Sequence, residues 1–161
     1  MFASQGDGSL EREVIGNKLL TRTLILIDIL ERAGNLWTLE NPRSSYVWLM
    51  PGLVEKFGNP LYKEAVMHQC AYGLRLKGPD CVYGPCKKHT RFFGNLPNLE
   101  TLEKHCKCHQ SHVHAVGGVK TNQGWKKRCE LAGHYPQALC QKYASLIQTL
   151  TASSDNSLHD Q

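Results

Sequence analysis

The run Leu36-Trp37-Thr38-Leu39, ending in Glu40-Asn41-Pro42, constrains the fold more than any other stretch of this chain. Trp37 and Leu39 share one face of an extended segment, and a proline cannot donate to a sheet ladder, so the strand stops at Pro42. Glu40-Asn41-Pro42 then falls on the C-terminal lip of that strand, where open α/β sheets place their chemistry. A carboxylate and an amide held there can hydrogen-bond a flat heterocycle, one meeting a ring nitrogen and the other an amino group. The plainer reading is a strand-ending turn in which Asn41 bonds nearby backbone.

The segments around this strand alternate between helical and extended patterns. Asn17 to Ala33 carries a helical stripe of Leu19, Leu20, Thr23, Leu24, Ile27 and Leu30, widened by Leu26 and Ile29, and Gly34 supplies the stop. Most of that helix is expected to be buried. Ser44-Ser45 can cap a short helix holding Tyr46, Val47 and Trp48, ended by Pro51-Gly52. Val66 to Gly73 alternates as a strand, and Thr90 to Gly94 reads as its antiparallel partner, with a Gly- and Pro-marked excursion, Lys77 to Pro85, between them. Pro97 to Cys106 and Trp125 to Leu131 read as helices, the first with Leu99 and Leu102 inward. A last helix opens at Pro136, with Leu139, Tyr143, Ile147 and Leu150 inward.

At 161 residues the chain suits one domain, expected over residues 11–150 between flexible tails at 1–10 and 151–161. With 41% hydrophobic and 20% charged residues it is globular in composition. The formal net charge of +5 mildly favours nucleic acid as a partner. Residues 1–10 lack the basic start and apolar core of a secretory signal, and Asp28 interrupts the longest apolar run, so no membrane partner and an intracellular location are expected. In that setting the seven cysteines read as thiols, packing residues or metal ligands rather than disulfides.

Three separated pieces together resemble the C-terminal part of the cytosine-5 DNA methyltransferases, in the divergent form of phage and mobile-element proteins. Glu40-Asn41-Pro42 is similar to that family's Glu-Asn-Val motif. Cys70-Ala71-Tyr72-Gly73 with Lys88-His89-Thr90-Arg91-Phe92-Phe93-Gly94 is similar to its Tyr-Gly…Gln-x-Arg-x-Arg-hydrophobic-Gly hairpin. Gly133-His134-Tyr135-Pro136 resembles its closing Gly-Asn-x-x-Pro motif. The resemblance implies an α/β fold, a partial Rossmann-like sheet of the S-adenosylmethionine-dependent type with an antiparallel hairpin and flanking helices. It implies Glu40 and Asn41 as the base-contacting, catalytic pair, and Arg75, Lys88, Thr90 and Arg91 on a nucleic-acid-facing cleft, DNA in preference to RNA, with a nuclear location in a eukaryote. The glycine-rich cofactor turn and the Pro-Cys nucleophile loop that precede Glu-Asn-Val in the family have no counterpart before Leu39. The chain therefore reads as a half-domain that does not bind S-adenosylmethionine alone. Pro85-Cys86 is a Pro-Cys dipeptide on the wrong side of Glu-Asn-Pro, and a loop cysteine or a metal ligand is the better reading.

Another function class competes with that one. Cys106-Lys107-Cys108-His109-Gln110-Ser111-His112-Val113-His114 holds five soft ligands in nine positions. In an extended segment Cys106 and Cys108 share a face, as do His112 and His114, and two thiolates with two imidazoles suit tetrahedral zinc. The spacings are tighter than in most zinc fingers, and a polar surface loop is the alternative. This reading makes the chain a zinc-containing nucleic-acid-binding module without catalysis; an inert foldable remnant is the third. Lys126, Lys127 and Arg128 read as a solvated helix start, and Trp125 and Phe92 as core.

Overall fold

The computed structural model of the chain describes residues 9–80 and 82–156, the last six by backbone alone. Its elements are α1 (Glu11–Arg32), β1 (Thr38–Pro42), a 3-10 turn at Tyr46–Leu49, α2 (Pro51–Val54), β2 (Lys63–His68) and a 3-10 turn at Gln69–Tyr72. There follow β3 (Arg75–Lys77), β4 (Tyr83–Pro85), β5 (His89–Gly94), a 3-10 turn at Leu99–Leu102, β6 (Gly118–Thr121), β7 (Gly124–Lys127), α3 (Arg128–Leu131) and α4 (Gln137–Asn156). One sheet has the order β1-β5-β2, and β3-β4 and β6-β7 are antiparallel hairpins. The fold is mixed α/β, but these short sheets do not establish the Rossmann-like arrangement that the resemblance implies. None of the described helices is long and apolar enough to cross a membrane.

The chain divides into two compact units, Met1–Glu64 with Arg91–Leu99, and Ala65–Thr90 with Glu100–Gln161. In the first, α1 begins earlier than the apolar stripe suggests and ends where Gly34 demands. Gly34 has φ 68°, its N–H donates to Glu31 O, and Asn35 N–H reaches back to Leu30 O. That pair of bonds caps the last carbonyls in a Schellman motif, which needs a left-handed residue. The expected burial of most of α1 does not occur. Ile27 is its buried residue, with Leu24 and Leu30 packed beside it, while Leu19, Leu26 and Ile29 are each more than half exposed. A helix that meets its core along one stripe covers only that stripe.

Ile27 joins Trp37, Trp48, Leu53 and Phe93 in an aromatic-rich core. The Phe57 ring centroid lies 4.6 Å from that of Phe93, and the Trp37 ring meets Phe93 edge-on at 6.1 Å. Buried indoles need acceptors. Trp37 Nε1 donates to Glu31 Oε1 and Trp48 Nε1 to Pro42 O. Burial works against the ionised Glu31, but hydrogen bonds from Lys56, Tyr62 and Trp37 outweigh it and hold this carboxyl below its ordinary value. Ser45 caps the 3-10 turn by accepting from Val47 N–H, as expected. Pro51, however, opens α2 rather than closing a helix. Its missing N–H is no loss at a first helical position.

The second unit has a smaller apolar cluster, in which Leu74, Leu76, Cys86 and Ala132 are buried and Val113, Ala115 and Leu131 pack against them. Several sequence expectations change here. The strand read over Val66 to Gly73 stops at His68 and gives way to the 3-10 turn, which Gly73 closes at φ 95°. Part of the Lys77 to Pro85 excursion is itself a hairpin strand pair. The helix read over Pro97 to Cys106 shrinks to one 3-10 turn, because Asn98 is left-handed at φ 59° and Lys104 already pairs with β2. Leu99 and Leu102 are fully buried, as expected. The helix read from Trp125 starts only at Arg128, since Gly124 at φ 97° turns the chain into a hairpin. On α4 the buried stripe passes through Leu139 and Leu146, leaving Ile147 exposed.

Candidate metal centre

Cys70, Cys106, Cys108 and His112 converge in the second unit, with their ligand atoms all within 4.8 Å of one another. Each arrives by a different local rule. Cys70 lies in the 3-10 turn after β2, where Gly73 lets the chain reverse. Cys106 is positioned from the backbone: His68 N–H donates to Lys104 O, and Cys106 N–H donates to His68 Nδ1 at 2.9 Å. Cys108 folds back so that its N–H donates to Cys106 Sγ at 3.2 Å. His112 precedes Val113, whose N–H pairs with Pro85 O and whose side chain joins the apolar cluster.

His112 Nε2 stands 3.2 Å from Cys106 Sγ and 3.5 Å from Cys70 Sγ. Around a tetrahedral zinc with bonds of about 2.3 Å to sulfur and 2.0–2.1 Å to nitrogen, neighbouring S and N atoms are about 3.6 Å apart. His112 thus stands from the Cys106 and Cys70 sulfurs close to where such an ion would hold it, with Cys108 Sγ within 4.8 Å of all three. Three thiolates and an imidazole are soft donors that favour zinc over magnesium or calcium. The cluster can hold a metal such as zinc.

The electrostatics of the cluster are uneven. Hydrogen bonds from the Cys108 side chain and backbone bring the Cys106 thiol down to about 6. Burial, reinforced by the neighbouring Cys106, pushes the Cys70 thiol up to about 12. Without a cation one thiolate at Cys106 is favoured and a second beside it is not. A divalent ion removes that conflict, because its charge favours ionisation of every coordinating thiol. Burial, with the charges of His89, Lys87, His105 and His112 adding to it, lowers His68 to about 4. A neutral His68 is what its acceptor role toward Cys106 N–H requires.

Of the four ligands read from the sequence, Cys106, Cys108 and His112 are brought together, and Cys70 takes the remaining place. His114 is exposed and lies outside the cluster. No protein-family model, curated protein or solved structure matches the chain. The site must be read from its own chemistry. Cys70 and His112 are 42 positions apart, so spacing could not pair them; the one local signal was a cysteine in a glycine-bounded turn.

The other singled-out residues have varied places. Glu40 and Asn41 are half-buried at the C-terminal end of β1, which runs through them to Pro42. Thr90 is fully buried and accepts from Gln69 Nε2 at 2.8 Å, so its hydroxyl does not reach a surface ligand. Arg91 lies over the Trp48 and Phe57 rings and pairs with Glu64. Lys88 Nζ donates to Ala132 O and sits 5.3 Å from the Tyr135 ring centroid. Arg75 is exposed, beside the Tyr83 carbonyl. Cys86 is buried in the apolar cluster, and burial raises its thiol, which suits packing and not nucleophilic attack. Phe92 is core as expected, Arg128 is buried against expectation, and Trp125 is 73% exposed rather than core. Cys81 lies outside the described residues.

Proposed function

We propose that the chain is a zinc-containing binding module, without catalysis of its own, whose partner is nucleic acid. The Cys70-Cys106-Cys108-His112 cluster carries the zinc part of this reading, and the formal net charge of +5 favours the nucleic-acid partner. Four protein ligands fill a tetrahedron and leave no open position for a reacting water, which is the pattern of structural rather than catalytic zinc. The metal's role follows from what it joins: the turn after β2 and the segment 105–117, which contains no helix or strand.

Protein purified with zinc present should hold about one zinc per chain, as expected of a single four-ligand site. Cobalt(II) in its place should give the intense visible absorption of a tetrahedral thiolate complex. Cys70→Ser should weaken retention of either ion, and His114→Ala should not. Substoichiometric metal in the wild type, with no cobalt spectrum, sinks the proposal.

A second reading keeps the resemblance to the cytosine-5 methyltransferases, with Glu40 contacting an extruded base, and one observation favours it. Glu40 Oε1 is buried with no hydrogen-bond partner. Such an atom costs about 1–3 kcal/mol, which the donor N–H of a cytosine amino group would offset. On this reading Glu40→Ala binds DNA carrying an unpaired cytosine about 1–3 kcal/mol more weakly than wild type, because the base loses its partner, while a fully paired duplex is unaffected. Equal loss on both DNAs, or none on either, removes the base contact.

A further inference from the structure

Two hairpins of the second unit enclose a groove of about 510 Å³. Four cations, Arg75 and Lys77 from β3 and Lys120 and Lys126 from β6 and β7, line it, and no aspartate or glutamate does. Four like charges on one concave surface repel one another; Arg75 Nη2 donates to the Tyr83 carbonyl in the lining, but no carboxylate there neutralises them. The groove is also fixed in shape. Arg128, buried at the start of α3 directly after β7, donates from Nε to Lys77 O and from Nη1 to Val116 O, both at 2.9 Å. This one guanidinium ties the first hairpin to the chain entering the second.

Two exposed aromatic rings lie on the same hairpins, Tyr83 in the groove and Trp125 outside its lining, on the β6-β7 face opposite Lys126. Tyr83 is 63% exposed and lines the groove. Trp125 stands directly across from Lys120 in the β6-β7 register, hence on the same face of the hairpin. Its ring lies against Gly118, where a Cβ would come within 3.2 Å of Trp125 Cε3. The six-membered ring of the indole therefore rests beside the strand while most of the side chain stays open. Trp37 and Trp48, the other two tryptophans, are buried. A large ring left in water on a lysine-rich hairpin contributes little to the core and is suited to a flat partner.

We infer that this groove and Trp125 together bind single-stranded nucleic acid, the phosphates against Arg75, Lys77, Lys120 and Lys126 and an unpaired base on the indole. The inference rests on the reading of the chain as a nucleic-acid-binding module and names its surface. Cationic grooves with aromatic platforms bind single strands with little sequence preference, because every base has a face to stack. A duplex keeps its bases stacked on one another and cannot offer them to Trp125.

The test uses the full zinc-loaded chain and labelled dT and rU oligomers of about 15 nucleotides, near the upper footprint of one small binding domain. A duplex of equal length and heparin serve as comparisons. Saturable binding of a single strand is expected, with quenching of the exposed tryptophan and affinity that falls steeply with salt. Trp125→Ala should weaken single-strand binding about tenfold or more. Lys120→Glu with Lys126→Glu should abolish most of it and flatten the salt dependence, while zinc content stays at the wild-type level. Better binding of dT or of rU decides between DNA and RNA without affecting the proposal. Equal affinity for the duplex, or for heparin with Trp125→Ala unchanged, overturns it in favour of a general polyanion surface. Wild-type affinity in both variants removes this surface and leaves the module reading intact. A zinc-loaded wild type that binds no nucleic acid removes both.

Discussion

Chelation of the metal is expected to abolish cooperative folding of the second unit at temperatures where the loaded protein is stable. The magnitudes point one way. Residues 105–117 have no helix or strand, and fixing such backbone costs about 1–2 kcal/mol per residue. The segment's own apolar return is small, since Val113 and Ala115 only partly bury against Leu74, Leu76, Cys86 and Ala132. A fully buried side chain of Val113's size contributes about 1.5–3 kcal/mol. Structural zinc sites supply about 10–16 kcal/mol of apparent binding energy, all of it coupled to folding. A zinc ion held by the four ligands would be the one contribution on the scale of the ordering cost.

Thermal melts with and without chelator, together with hydrogen exchange, measure this. Protection should disappear first across Cys106 to His112 and then across β3-β4, because Val113 N–H pairs with Pro85 O. His112→Ala should imitate chelation. His112→Cys should keep the metal and most of the melting temperature, since four thiolates also suit zinc. A metal-free protein with unchanged melting temperature and intact protection at Cys106 would show that the cluster does not hold this unit together.

What could be read from the sequence depended on how local the determinant was. Gly34 ended α1 and Ser45 capped its turn because each acts on backbone a few positions away. Leu99 and Leu102 were recognisable as core although the helix expected around them did not form, since burial follows apolarity more than element type. The β6-β7 hairpin was missed. Lys126-Lys127-Arg128 looks like a helix start, and the signal lay instead in Thr121-Asn122-Gln123-Gly124, where Thr121 Oγ1 donates to Gly124 O and Gly124 is left-handed. That error also hid the exposure of Trp125.

The candidate centre was legible in three of its ligands because cysteine and histidine crowd one segment. Its fourth was not, because Cys70 reaches it only through tertiary folding. Thr90 shows the opposite failure. In the resemblance it stands at a nucleic-acid-facing position, yet here the fully buried Gln69 supplies its partner, and that contact spans 21 positions.

Gly94→Ala is expected to destabilise the first unit more than any other single methyl addition to a glycine there. A Cβ at Gly94 would overlap Trp37 O and come within 2.9 Å of Thr38 Cα. Both are backbone atoms of the neighbouring strand region, which cannot rotate aside as a flexible side chain can. Relief requires moving β1 from β5, and three hydrogen bonds resist it. Asn95 N–H donates to Trp37 O at 3.2 Å, Trp37 N–H to Asn95 Oδ1 at 2.7 Å, and Asn95 Nδ2 to Asn35 O at 3.1 Å. The shift would also part Trp37 from Phe93 in the core. Overpacking alone costs about 1–3 kcal/mol, and each buried group left unpaired adds about 1–3 more. A loss of about 3 kcal/mol or more follows, a large share of the 5–15 kcal/mol typical of a domain. At about 4–8 °C per kcal/mol the melting temperature should fall by 12 °C or more. Gly16→Ala makes the comparison sharp. Gly16 lies inside α1 with nothing within 4 Å of an added Cβ, so the same methyl should stabilise by about 0.5–1 kcal/mol through helix propensity. Two glycines given the same substitution should move the melting temperature in opposite directions. A Gly94→Ala protein that melts with the wild type would mean that β1 and β5 do not pack as closely as Gly94 requires.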